Sequence, residues 1–213
     1  MPTKSGLTQR LGVVVGFSNP RAALEQYRTP PRLAAEIVHL ADLQDDIAGQ
    51  TVFDLGCGTG MLALGAALRG PNTIVGIDLD RAPLATAVTN ERRIGSTTSI
   101  SWLHADATQP PITPVGSSTV VMNPPFGAQA GNEHADRAFL NTAAVLSSVS
   151  YSVHNADSKA FVESFAADHG GHVTHAFRTE YRLPATYEFH TETARTIDVE
   201  VFRIVWSNKA EPA

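Results

Sequence analysis

Four consecutive residues, Asn123-Pro124-Pro125-Phe126, place an amide, two prolines and an aromatic ring directly after the apolar run Val120-Val121-Met122. The apolar run reads as the end of a buried strand. Proline lacks an N–H and fixes its own φ, so the turn is stiff and cannot prolong a sheet ladder. Its carbonyl groups stay free to accept hydrogen bonds, and the Asn123 amide oxygen adds one more acceptor. A rigid cup of acceptors beside a ring suits a planar amino group on a flat heterocycle. A Pro-rich turn with a core phenylalanine would use the same four residues, so the neighbouring elements must decide.

A second constellation is Asp54-Leu55-Gly56-Cys57-Gly58-Thr59-Gly60, between a predicted strand and a predicted helix. Its glycines permit tight turns and close ligand approach, and the helix start behind them favours an anion. Asp78 ends the next strand, where an acid can hold a ribose diol. A nicotinamide site is compatible with this much. The opening Asp54, however, would repel a pyrophosphate and suits an ammonium group. The zwitterion S-adenosylmethionine, with amine, carboxylate and ribose, fits better. Asp106 can accept from the adenine amino group, with the Ala107 N–H available to a ring nitrogen. A plain loop cap is the structural alternative for Asp106.

These residues need elements to hold them. Strands are expected at 51–55, 74–77, 99–104, 119–122, 148–153, 172–181 and 197–206, with the break Leu183-Pro184 after the sixth. Helices are expected at 61–69, from Pro83 to about Arg93, at 136–147 and at 157–169. A further helix opens at Thr29-Pro30-Pro31 with Leu33, Ile37 and Leu40 on one face. Residues 5–16 fit a short helix or a strand, and Asn19-Pro20 signals a helix start. A Gly-, Asn- and Gln-bearing loop running to Glu133 is long and polar enough to be mobile. Alternating strands and helices imply a Rossmann-like α/β fold with helices on both faces. The last two strands have no helix between them, so the seven-stranded, mostly parallel sheet should carry an antiparallel last strand. Asp54, Asp78, Asp106 and Asn123 then share the carboxyl rim, where open α/β sheets bind ligands.

Composition narrows the class. The chain has 213 residues, enough for one domain (1–213), with 1–30 an N-terminal extension contributing to the site. A net charge of −5 argues against a generic nucleic-acid binder. Positive charge nevertheless gathers early, with Lys4, Arg10, Arg21, Arg28 and Arg32 against Glu25 alone up to residue 35. Cys57 is the single cysteine, so an internal disulfide is impossible and no cysteine-based metal site is expected. His169, His172 and His175 are spaced like ligands but straddle Gly170-Gly171, and no metal is expected there either. No apolar run is long enough to span a bilayer and no signal-peptide pattern opens the chain, so a cytoplasmic location is expected.

The two constellations together resemble class I methyltransferases that act on planar amino groups. More narrowly, the chain resembles the archaeal and eukaryotic family of small-subunit ribosomal RNA adenine-N6 methyltransferases. The resemblance rests on 24–29 (Leu-Glu-Gln-Tyr-Arg-Thr), Asp54 to Gly60, Asn123 to Gly127, Tyr151-Ser152-Val153-His154, 183–187 (Leu-Pro-Ala-Thr-Tyr) and Phe189-His190. It implies cofactor contacts at Gln26, Thr29, Gly56, Thr59, Met61, Asp78, Asp106 and Ala107, to which the residues themselves add Asp54 and Gly58. It implies target-amine contacts at Asn123, Pro124, Pro125 and Phe126. It also implies a small zinc-ribbon activator protein as partner in a heterodimer. That partner would sit on the third strand, expected at a sheet edge, where Ile100 and Trp102 point the same way. Packing of Trp102 under a helix of its own chain is the alternative. The chain departs from the family at Asn155, where a lysine is usual, and at Thr191-Glu192-Thr193, where a basic run is usual. The basic N-terminal segment with Arg182 and Arg195 is the candidate RNA track. Guanine N2 of RNA, a protein glutamine, or cofactor binding without catalysis in a ribosome assembly factor are the competing readings.

Overall fold

The computed structural model describes residues 3–96, 98–113, 116–127, 135–184 and 194–207. The loop up to Glu133, the stretch 185–193 with its Thr-Tyr and Phe-His pairs, and the side chains of Arg182 and Arg195 lie outside what is described.

The strands are β1 (Thr51–Leu55), β2 (Thr73–Asp78), β3 (Ile100–His104), β4 (Ser118–Met122), β5 (Val149–Asn155), β6 (Gly171–Pro184) and β7 (Ala194–Trp206). They form one sheet in the order β3-β2-β1-β4-β5-β7-β6. β1 to β5 run parallel, and β7 lies antiparallel to both β5 and β6. This is the mixed seven-stranded sheet the element order predicts. β6 continues through Leu183-Pro184, because its ladder with β7 reaches Pro184 opposite Ala194. The predicted break is therefore a strand end.

Period-two alternation sorts the core onto two faces. Val121, Tyr151 and Val153 point to one face, where α1 (Lys4–Leu11), α2 (Pro31–Leu43) and α3 (Met61–Ala67) supply Leu7, Leu11, Leu33, Ile37 and Leu64. Val120, Met122 and Phe202 point to the other, against Phe139 and Leu140 of α5 (Ala135–Leu146) and Val162 and Phe165 of α6 (Lys159–Asp168). α4 (Arg81–Ile94) starts at an Asp80 side-chain cap and stops at left-handed Gly95. Between α1 and α2 the chain makes one 3-10 turn, Ala22–Leu24, then Glu25 in the left-handed region. Pro31 at the first position of α2 has no N–H to leave unsatisfied.

β3 is an edge strand, but the side chains expected to meet a partner there are turned inward. Ile100 is buried, and the Trp102 indole packs on Gly60 and Gly76 while its Nε1–H donates to Glu91 of α4 at 2.8 Å. The same glutamate accepts the Ile100 N–H at 2.9 Å. Ile100 and Trp102 thus pack within the chain, as the alternative reading of Trp102 expects, and the indole stays half-buried at the sheet edge. A Cβ at Gly76 would stand 2.5 Å from Trp102 Cζ3 and 3.2 Å from Cys57 Sγ. Gly76→Ala is expected to cost about 1–3 kcal/mol by overpacking. Urea denaturation checks this, with Gly70→Ala at an open left-handed position as a strain-only comparison.

Candidate functional site

The register brings the carboxyl ends together: Leu55 lies opposite Ile77 and Met122, and Asp78 opposite His104. Above this rim lies a cavity of about 360 Å³ walled by Phe17, Gln26, Tyr27, Gly56, Gly58, Asp78, Asp106, Ala107, Asn123, Pro125 and Phe139, among others. A smaller recess of about 30 Å³ adjoins it, with Arg28, Thr29, Asp54, Thr59 and Met61 on its wall. Phe17, Tyr27, Gly56, Gly58 and Asn123 line both. All ten residues predicted to hold a cofactor thus stand on one wall or the other. Asp78 and Asn123 face the same space.

Hydrogen bonds explain the shape. The Gly56, Gly58 and Gly60 turn takes three left-handed residues, which side chains would oppose. Asp78 Oδ2 accepts the Gly58 N–H at 2.7 Å and its Oδ1 accepts the Asp80 N–H at 2.8 Å. Burial nevertheless raises the Asp78 carboxyl above its ordinary range. Asp54, one residue before the end of β1, is wholly buried and accepts the Ala63 N–H at 2.8 Å. That bond satisfies one otherwise open donor in the first turn of α3. Burial outweighs it, with repulsion from Asp78 adding, and the carboxyl is pushed up from 3.8 to about 7. Asp106 is both a cap and a wall residue: Oδ1 accepts from the Thr108 N–H at 2.8 Å and its hydroxyl at 2.7 Å.

The predicted catalytic residues divide. Asn123 and Pro125 line the cavity. Pro124 is buried and Phe126 half-buried, neither is among the residues named on the walls, and the Phe126 ring is edge-on to Tyr181 with ring centres 6.2 Å apart. Asn123 Nδ2 donates to Thr29 Oγ1 at 3.0 Å, while its Oδ1 is buried with no partner. A buried unpaired amide oxygen is costly unless a ligand completes it. The amide is therefore held by its donor side, with its acceptor side unspent.

Sequence reasoning missed the strap at 24–29 as a clamp on the tip. Glu25 Oε2 accepts the Phe126 N–H at 2.9 Å, and Asn155 Nδ2 reaches the Phe126 carbonyl at 3.4 Å. Gln26 Nε2 donates to Asp80 at 3.0 Å, and Arg21 pairs with the same carboxylate at 3.1 Å. Phe17 and Phe139 were also missed, because an apolar wall residue has no signature apart from core. Of the expected RNA track, Arg32 is exposed and pairs with Glu36 at 3.3 Å. Arg28, in the same segment, is half-buried and stands on the recess wall. His169 stacks on Phe165 at 4.0 Å, and His154 is buried neutral against Phe202, held near 4 by desolvation. No helix among the described residues is long and apolar enough to cross a membrane.

Comparison with known proteins gives concordant matches. A family model, "RMKL-like, methyltransferase domain", matches residues 21–183. A Methanocaldococcus jannaschii relative, uncharacterized protein MJ0284, is 36% identical over 211 residues, covering 96% of this chain and 94% of its own. The Drosophila melanogaster rRNA N(6)-adenosine-methyltransferase Mettl5 is 34% identical over 205 residues, covering 92% and 93%. The crystal structure of PH1948 from Pyrococcus horikoshii, assigned as an RNA methyltransferase, superposes with a TM-score of 0.87 at 36% identity, covering 97% and 98%.

Proposed function

Since this chain belongs to the RMKL-like methyltransferase domain family and is a homologue of the METTL5 rRNA N6-adenosine methyltransferases, we propose that it methylates the N6 amino group of an adenine in small-subunit ribosomal RNA. The observation that carries the reading is the partnerless Asn123 Oδ1 on the wall shared with Asp78. We propose S-adenosylmethionine as methyl donor. The donor set fits it: acids for a sulfonium and an ammonium, Asp78 for a ribose, and Asp106 with Ala107 for an adenine edge. Gln26, Thr29, Asp54, Gly56, Gly58, Thr59, Met61, Asp78, Asp106 and Ala107 would hold it. When bound, it supplies a methyl group activated on sulfur.

The chain's own part is positional. An adenine N6 lone pair is delocalised into the ring and is a weak nucleophile. Asn123 Oδ1 and the Pro124 carbonyl accept its two N–H bonds, which draws the nitrogen toward a tetrahedral shape. Transfer then depends on alignment, with no strong base needed. Phe126 is the stacking platform, worth about 1–3 kcal/mol by analogy with other base–aromatic contacts. The target base must be unpaired or flipped to enter. A small zinc-ribbon activator protein at the β3 edge belongs to the same proposal.

The test is methylation of purified small ribosomal subunits followed by nucleoside mass spectrometry. N6-methyladenosine is the expected product. Methylated guanosine, methylated glutamine in a ribosomal protein, or no product despite donor binding would each replace this reading.

A further inference from the structure

The charged side chains on the donor site are acids with one exception. Glu25, Asp78 and Asp106 stand on the main cavity and Asp54 on the recess, and Arg28 is the one cationic side chain on either wall among the described residues. Acids suit the sulfonium and the ammonium of the donor. They oppose its carboxylate, which needs a cation.

Arg28 is built to be that cation. Its stem is pinned: a Cβ at Gly16 would stand 3.0 Å from Arg28 Cδ, and the Arg28 carbonyl accepts the Tyr181 hydroxyl at 3.2 Å. Its Nε is buried with no hydrogen-bond partner, and among the described residues no carboxylate pairs with its guanidinium. Desolvation lowers its pKa, so the charge is held there at a cost. A half-buried guanidinium without an anion is the exception in folded proteins. The neighbouring residue, Thr29, holds the Asn123 amide, so the segment that fixes the acceptor also carries the cation.

We propose that Arg28 binds the carboxylate of the donor's amino-acid tail, with its planar fork matching the two carboxylate oxygens. This rests on S-adenosylmethionine being the donor. Arg28 and Asp54 then form the two poles of the recess, one for the carboxylate and one for the ammonium.

Two probes isolate the tail by calorimetry: S-adenosylhomocysteine, which carries it, and 5′-deoxy-5′-methylthioadenosine, which shares the adenosine and sulfur but lacks it. Arg28→Met keeps an apolar stem against Gly16. It is expected to weaken S-adenosylhomocysteine by about 10–100-fold and to leave methylthioadenosine unchanged, which also reports an intact fold. Arg28→Lys should recover part of the lost affinity. Unchanged S-adenosylhomocysteine binding, or equal weakening of both probes, overturns the proposal. Unchanged S-adenosylhomocysteine binding with weakened RNA binding overturns it too and places Arg28 on a phosphate. A wild-type protein that binds neither probe removes the donor reading itself, and this assignment with it.

Discussion

Asn123→Ala should bind S-adenosylhomocysteine as the wild type does and lose about 10²–10³-fold in turnover on ribosomal subunits. The two readouts separate because the two halves of the amide have different tasks. Nδ2 is already engaged with Thr29, so removing the side chain costs the fold one partly buried hydrogen bond, about 1 kcal/mol. Oδ1 has no partner. It therefore stabilises nothing in the resting state, where its burial is a cost, and its value appears only when an amino group is presented to it. An interaction made only on the way to the transition state lowers kcat and kcat/KM together. Thr29→Val is the companion variant: the amide keeps its oxygen but loses the bond that aims it, so turnover should fall by less than in Asn123→Ala. Single-turnover methylation with saturating donor reads both. Near-normal turnover in Asn123→Ala, with donor affinity intact, would take Asn123 out of the mechanism.

The split between Nδ2 and Oδ1 was not visible in the sequence. What was visible there is what local rules govern. Strand–turn–helix order, Asp54 before a glycine turn and Asp78 at the next strand end set the rim, because a parallel sheet has only one place for its carboxyl ends. The antiparallel β7 followed from the missing helix after β6. Long-range contacts were not legible. Glu25 and Phe126 lie 101 residues apart in sequence, and nothing in either neighbourhood signals the bond that joins them. Trp102 shows the same limit from the other side. Its strand and edge position follow from pattern, but the inward turn depends on Gly60 and Gly76 leaving room and on Glu91 being within reach. Arg28 belongs to the basic N-terminal segment read as the RNA track, and only the folded chain shows that it stands on the recess wall with its stem against Gly16.

Replacing Asp54 with Asn should stabilise the ligand-free protein, and the gain should grow with pH. The carboxyl is wholly buried and pushed up from 3.8 to about 7. Between those values the folded chain binds more protons than the unfolded chain, so the wild type loses stability as pH rises from about 4 to about 7 and levels off beyond. The shift corresponds to about 4 kcal/mol. Asn keeps an oxygen for the Ala63 N–H but remains a buried polar group, so about 2–4 kcal/mol should be recovered above pH 7. His154 works in the opposite sense, since its depressed value makes folding weaker as pH falls toward 4, but it is present in both proteins and cancels in the difference. Thermal melts of wild type and Asp54→Asn at pH 4 and pH 8 should therefore differ little at the lower pH and clearly at the higher. Donor binding should reverse the order. The ligand's ammonium group would stabilise ionised Asp54, so wild-type affinity for S-adenosylhomocysteine should rise toward pH 7, while Asp54→Asn binds more weakly and with a flatter profile. A stability difference that does not move with pH would mean that Asp54 is ionised at no cost in the free protein. The acid would then be a cap for α3 rather than a charge held ready for an ammonium group.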